Sequence, residues 1–511
     1  MKEVQSCGGQ LHMTVIRRGG VSRIRFQGRN FVTSLKCLVF WSASFVALTS
    51  AAQQAAPNPV IRESGPLVAI EHVAVMDGTG SGPAADQTVV VKDGRILSVG
   101  PSAGVTAPAG AHVIDATGKT LIPGLVGMHE HLFFTGPEPS PYFVTMGSSF
   151  PRLYLASGVT TARTTGSMEP YTDINIKQAV DKGVIPGPKL ELTGPYANGK
   201  PSLFPQMHEL SGPEEAREFV RYWHSVGFTS TKAYIEITPE ELRTTIEESH
   251  KLGMKVTGHL CSVSFREAAE MGIDNLEHGP FGAPDSELST KRNGATCGRK
   301  EFMAIDQDLA ANVDPEGPEA QKTIAVLVAH HIAITSTLAV FEPSSTPGFL
   351  DSYYDRIHML LTPQSFTTML DNLAYALPYI QQETTLLQKE MKFERAFVKA
   401  GGLLLAGCDP TGDGHTLAGL GDQRELELLV KAGFSVPEAV KIYTMNGATF
   451  LGEDKDIGSI TVGKKADLVL LQGDLAKDVS VIEKPEIVFK DGVGFDSDKL
   501  YESMRGTVGI R

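Results

Sequence analysis

At 511 residues, 41% hydrophobic and 21% charged, the chain has a globular composition with room for one large α/β domain and a smaller one. Its net charge of −13 argues against nucleic acid or an anionic membrane as partner, since either would demand a basic face.

Residues 1–52 have the order of a secretory signal. Arg17, Arg18, Arg23, Arg25, Arg29 and Lys36 precede the apolar run CLVFWSASFVAL, and small residues follow, so cleavage is expected near Ala51 or Ala52. The apolar run is shorter than the ~20 residues of a spanning helix, so an exported, periplasmic or secreted protein without a lasting membrane anchor is expected. Of the five cysteines, Cys261, Cys297 and Cys408 would remain, allowing one disulfide at most and leaving a free thiol. Cys261 and Cys408 read as small packing residues beside the strand ends.

From about residue 66 the chain turns into short alternating runs, PLVAIEHVAVMDG, QTVVVKDGRILSVG and AHVIDATGKTLIPG, with Asp93-Gly94 as a hairpin turn. The C-terminal end has the same texture in IGSITVGKKADLVLLQGD and KPEIVFKDGVGF. Residues 66–122 and 455–511 are therefore expected to form one small β-sandwich domain. Between them, helical stretches alternate with apolar strands: PEEAREFVRYWHSVG before FTSTKAYI, TPEELRTTIEESHKLG before MKVTGHL, SFREAAEMG before IDNLEHG. Repeated helix then strand implies a parallel sheet, and residues 123–454 suffice for a (β/α)8 TIM barrel. A helical stretch from about 351 to 400 precedes GLLLAGCD. Residues 283–323, polar and rich in Gly and Pro, are expected to be a loop or lid insertion.

The chemistry concentrates at the strand ends. In LIPGLVGMHEHLFF, His129 and His131 are two apart on one strand, so they project to the same side while Glu130 points away. His259 ends MKVTGH, His278 ends NLEH and Asp409 ends LLLAGCD, each at the C-terminal edge of a barrel strand, where catalytic residues of this architecture gather. Four imidazoles and a carboxylate repeating one position suit zinc or a similar divalent ion. Lys232, in FTSTKAYI, would be repelled by such ions unless its buried amine added carbon dioxide, giving an N6-carboxylated lysine able to bridge two of them.

In order along the chain, PGLVGMHEHL, SGVTTAR, STKAY, TGHL, NLEHG, GCDPTG, MNGATFLG and IGSITVGKKADLVLL resemble the amidohydrolase superfamily, in particular its imidazolonepropionase-like and metal-dependent dipeptidase (prolidase-like) branches. The resemblance implies that His129, His131 and Asp409 hold one ion, that His259 and His278 hold the second, and that carboxylated Lys232 bridges them. Zinc is the expected metal. Asp409 would then take a proton from the attacking water and deliver it to the leaving amine. Tyr234, two past Lys232, would contact a substrate carboxylate as in dipeptidase-like relatives; His415 and His208 are further substrate-binding candidates, against plainer packing or loop roles. The family pattern is departed from at Gly127 and Thr164, where relatives often carry Asp, and in YANGKPSLFPQMH, which replaces a Gly-Gly-His. The expected activity is hydrolysis of an amide bond by metal-activated hydroxide, in a dipeptide or N-acyl amino acid, including amides of aromatic amino acids. A cyclic amide or lactone is the alternative substrate, and a ligand-recognising, metal-binding pseudoenzyme the alternative class. A homo-oligomer acting on small molecules is expected.

Overall fold

The computed structural model describes residues 15–18, 21–24 and 58–510, except 137–141, 203, 292–296, 347–348 and 411–413. The chain divides into two compact units, Met1–Ala56 and Pro57–Arg511. In the first, Val15–Arg18 pairs antiparallel with Val21–Ile24. The apolar run and cleavage region expected there lie outside the described residues. Among the described residues no helix is long and apolar enough to cross a membrane.

The second unit has a mixed α/β fold. Its two ends meet in one nine-stranded sheet: Ile61–Glu63, Leu67–Val75, Ala84–Lys92, Arg95–Pro101 and His112–Asp115 from the N-terminal side, Leu468–Leu471, Pro485–Lys490 and Val493–Asp496 from the C-terminal side. Thr120–Pro123 joins the halves, antiparallel to Leu468–Leu471 and parallel to the end of Leu67–Val75. Asp93 and Gly94 both have positive φ, the geometry of the two-residue turn that their sequence announces. Val68, Ile70, Val89, Val91, Leu468, Leu470, Ile487 and Phe489 pack into a core of their own beneath this sheet.

The central segment supplies parallel strands in two stretches. Leu125–Glu130, Val159–Thr164 and Lys189–Glu191 form one. Thr193–Asn198, Ser230–Ala233, Lys255–Gly258, Asn275–Glu277, Ala333–Ser336 and Leu404–Ala406 run side by side in the other, with His208–Glu209 at its edge. The last strand reaches back to the first, because Asp409 N–H donates to His129 O at 2.9 Å. Nearly every residue of these strands is buried, as expected where helices cover a parallel sheet. Pro213–Val226 buries Ala216, Phe219 and Val220, an i, i+3, i+4 stripe, and ends at Gly227 in the left-handed region. Pro239–Lys251 starts at a capping box: Thr238 accepts from Glu241 N–H, and the Glu241 carboxylate accepts from Thr238 N–H.

Two expectations are corrected. Residues 283–323 are not a structureless insertion: they contain the helix Arg299–Asn312, and Pro318–Ala329 begins within them. The apolar signal was thin, because that helix buries only Ile305, Asp308 and Leu309. Cys261 is not a plain packing residue either, since it is disulfide-bonded to Cys297, tying this segment to the strand end that carries His259. Cys408 is the buried free thiol.

Candidate metal centre

Strand ends bring the expected ligands together. His129 and His131 leave Leu125–Glu130 on the same side, with ring centroids 5.3 Å apart; the His278 ring lies 4.6 Å from that of His129 and 4.6 Å from that of His259. Asp409 completes the group, its Oδ1 3.2 Å from His131 Nε2 and its Oδ2 3.7 Å from His129 Nε2 and 3.9 Å from His278 Nε2. Donor atoms of His129, His131 and Asp409 all lie within 4.8 Å of one another. His278 and Asp409 adopt left-handed backbone, φ 69° and 47°, a conformation unusual outside glycine and held here by backbone bonds from His278 N–H to Thr335 O and from Asp409 N–H to His129 O. Gly407 permits that approach: a Cβ there would meet His129 N at 2.3 Å.

Each ring is oriented from behind. His129 Nδ1 donates to Glu277 Oε2 at 2.7 Å, His278 Nδ1 to Thr337 Oγ1 at 2.7 Å, and His131 Nδ1 to Gly166 O at 3.3 Å. Those bonds leave three Nε2 atoms facing Asp409, the tautomer a metal ligand needs. His259 Nε2 is buried and has no hydrogen-bond partner in the protein, as expected of a lone pair reserved for an ion. Burial pushes the pKa of His129 down, that of His278 well down, and that of His259 to about 3, with the Lys232 charge adding to the effect on His259. Burial alone would raise Asp409, but His129 and the hydrogen bond from His131 outweigh it and hold the carboxyl well below its usual range. Neutral imidazoles around a carboxylate are the donor set of a divalent-ion site, so the residues fit a metal.

Lys232 is also at the centre, 1% exposed, with its pKa lowered to about 8 by burial, against the pull of Glu277 and Asp409. An amine with its pKa lowered to about 8 has a neutral fraction at physiological pH, the form able to add carbon dioxide. Tyr234 is beside it, its ring 5.2 Å from that of His259 and 5.0 Å from that of Tyr196. Phe133, 4.5 Å from the His131 ring, joins Tyr196, Met168 and Met207 in an apolar cluster that Phe143, Phe204 and Tyr234 extend. The segment replacing Gly-Gly-His thus contributes an aromatic wall. The remaining two substrate candidates have partners of their own. His208 is 45% exposed, bonded to Glu215 at 2.9 Å and stacked on Phe219, which the packing of its edge strand against the following helix requires. His415 is buried, with Nε2 3.2 Å from the Met369 carbonyl oxygen.

Several residues behind the centre carry no motif. Glu277, fully buried, accepts from His129 and at 2.9 Å from Arg163 Nη2, and Arg163 also donates to Met128 O at 2.8 Å. Burial would raise Glu277, but His129, Lys232 and Arg163 hold it well below the carboxylate range. Glu130 accepts from Cys408 N–H at 3.3 Å and Sγ at 3.2 Å. Burial and the neighbouring Asp422 raise its pKa well above normal, so Glu130 carries the proton in that carboxyl pair. The departure at Gly127 has its reason here: a Cβ at 127 would sit 2.5 Å from Glu130 Oε1, so the space an Asp would take holds Glu130 instead. Thr164 accepts from Thr193 N–H at 2.9 Å.

Acid should unfold the metal-free protein. The folded pKa values of His129, His259 and His278 lie below the ordinary value near 6.5. The unfolded chain therefore binds protons that the folded chain does not, and stability is full above about pH 6.5 and falls as pH drops from there toward 3. Each imidazole that stays neutral contributes about 1.4 kcal/mol of loss per pH unit in that window. Denaturant unfolding of the chelated protein at pH 7 and pH 5 reads it; equal stability at both would contradict these environments.

A family model for the amidohydrolase family matches residues 120–340 and 366–493, and the chain belongs to that family. It is a C–N bond hydrolase, on the branch that holds imidazolonepropionases and prolidase-like proteins. An imidazolonepropionase of Porphyromonas gingivalis is 24% identical over 405 residues, 77% of this chain and 84% of that one. The enamidase of Eubacterium barkeri is 28% identical over 199 residues, 37% of this chain, and that match spans about half (48%) of the enamidase. A provisionally assigned prolidase from Bifidobacterium longum superposes with a TM-score of 0.61 at 25% identity, over 87% of this chain and all of that one.

Proposed function

We propose that the protein hydrolyses the amide bond of a dipeptide or N-acyl amino acid at a centre of two divalent ions, zinc being the expected metal. The observation that carries this reading is the convergence of the His129, His131 and His278 Nε2 atoms to within 3.2–3.9 Å of the Asp409 carboxylate, with the unpartnered His259 Nε2 and a buried Lys232 beside them. His129, His131 and Asp409 would hold one ion, His259 and His278 the other, and Lys232, as a carbamate formed from its neutral amine and carbon dioxide with loss of a proton, would join both. The ions supply Lewis acidity, polarising the substrate carbonyl and lowering the pKa of water. Asp409 accepts the proton of the attacking water and returns it to the departing nitrogen. Glu277 keeps the His129 ring in its ligating tautomer, and the aromatic wall from Phe133 to Tyr234 receives an apolar side chain and excludes water. His415 is left a structural role, and His208 lies outside the substrate contacts.

The parallel strands are proposed to close as a (β/α)8 barrel across residues 123–454, with the terminal sheet folding as the small β-sandwich. Export is proposed too: the Cys261–Cys297 bridge supports an oxidising compartment. A homo-oligomer is proposed for the assembly.

Release of free amino acid from a panel of dipeptides and N-acyl amino acids, by protein carrying zinc and supplied with bicarbonate, tests the activity. Turnover of a subset supports the reading; silence toward all of them, with metal bound, would sink it and favour cyclic amides, the class to which the imidazolonepropionase resemblance points. Lys232→Ala is expected to lose at least 99% of turnover and to regain part of it with a short carboxylic acid that fills the space; full activity without rescue would remove the carbamate.

A further inference from the structure

Glu236, two residues beyond Tyr234, is a buried carboxylate without a counter-charge. Glu236 is 7% exposed, and both of its carboxylate oxygens are buried without a hydrogen bond, the Asn198 amide lying alongside. Glu209 is the charged group that acts on it, and that charge is negative. A buried carboxylate with no counter-charge, and with only the Asn198 amide close enough to act as a donor, is costly, and a fold keeps one where something else completes it.

Its position is built, not accidental. Glu236 sits in the turn that follows Ser230–Ala233, closed by Ile237 N–H donating to Tyr234 O at 3.0 Å. Glu236 N–H donates to Asn198 Oδ1 at 3.1 Å, Ser262 N–H to Ile235 O at 3.0 Å, and Ser262 Oγ to Ile237 O at 2.5 Å. Gly199 lets the neighbouring chain come close, since a Cβ there would lie 1.9 Å from Glu236 O. The turn is thereby clamped between the strand ends that carry Tyr196 and His259. Two residues upstream, Tyr234 packs on His259 and feels the charges of both Glu236 and Asp409. Tyr234 therefore links the histidines and Asp409 on one side to a buried carboxylate without counter-charge on the other.

We propose that Glu236 binds a positively charged amino group of the substrate, so that the preferred substrates are amides with a free ammonium, such as unblocked dipeptides, rather than N-acyl amino acids. This rests on the amide-hydrolase reading and narrows it. An ammonium offers three donors to the two bare oxygens, and the aromatic wall accommodates the apolar side chain beside it.

Matched substrates test it: Leu-Phe and N-acetyl-Leu-Phe, with wild type and with the isosteric Glu236→Gln. Wild type is expected to favour Leu-Phe by about tenfold to hundredfold in kcat/KM, the range of a charge-assisted hydrogen bond. Glu236→Gln should erase most of that preference through a raised KM for Leu-Phe, with kcat nearly kept and the acetylated substrate unaffected. Equal use of both by wild type, or an equal loss on both in the variant, would overturn the proposal. Calorimetric binding of the same two compounds separates it from the function itself. If neither is cleaved but Leu-Phe binds more tightly and only to wild type, Glu236 recognition stands while the hydrolytic reading falls; equal binding of the two would overturn it whatever the turnover.

Discussion

Asp409→Asn should lower kcat by about 10³-fold, the scale of a lost general acid–base. The amide keeps the size of the side chain, so the left-handed backbone at 409 and its bond to His129 O are retained. What disappears is the basic oxygen between His131, His129 and His278, which lies 3.2–3.9 Å from their Nε2 atoms. An amide oxygen neither takes up a proton near neutrality nor offers the charge that balances a divalent ion. Steady-state kinetics with metal content measured on the same sample decides the matter. A kcat within tenfold of wild type, with full metal, would mean that another group moves the proton.

The largest loss of stability is expected from Glu277→Ala, roughly 3–5 kcal/mol by denaturant unfolding. Glu277 is fully buried and serves three proton-donating partners at once, His129 at 2.7 Å, Arg163 at 2.9 Å and the Thr257 hydroxyl. Alanine strands the Arg163 guanidinium in the core without its counter-charge and leaves the His129 ring free to turn. Glu277→Gln should be milder for folding yet weaken metal binding by about 10–100-fold, because the ring loses the acceptor that fixes its tautomer. A Glu277→Ala protein within 1 kcal/mol of wild type would show that Arg163 is compensated by Met128 O and Asn275 alone.

The residues that converge at the candidate centre could be found from sequence because they end apolar strands: His259, His278 and Asp409 follow runs too hydrophobic to be loops, and the spacing of His129 and His131 fixes their common side. The groups that tune them could not. Glu277 immediately precedes a ligand and looks like its outward-facing neighbour, yet the left-handed turn at His278 lets both serve the centre. Glu130 pairs with Asp422, a helical residue far along the chain that no local pattern joins to it. Glu236, in YIEITPEEL, has the texture of a solvated helix lead-in, and only the clamp by Asn198 and Ser262 buries it. His208 lies on a two-residue edge strand and His415 on a loop, so neither had a long apolar strand to set its direction. The helix Arg299–Asn312 was hidden for a related reason: its apolar face is two side chains wide, and a disulfide rather than a broad core secures the segment before it.

The central claim is that a two-ion centre built from these six residues cleaves the amide. Zinc titration into the chelated protein, with bicarbonate present and Leu-Phe hydrolysis followed at each addition, tests it most directly. The account predicts negligible turnover without metal and a plateau at two zinc ions per chain, with the plateau lost in Lys232→Ala. Turnover by the metal-free chain, or a plateau at one ion that Lys232→Ala leaves unchanged, would contradict it.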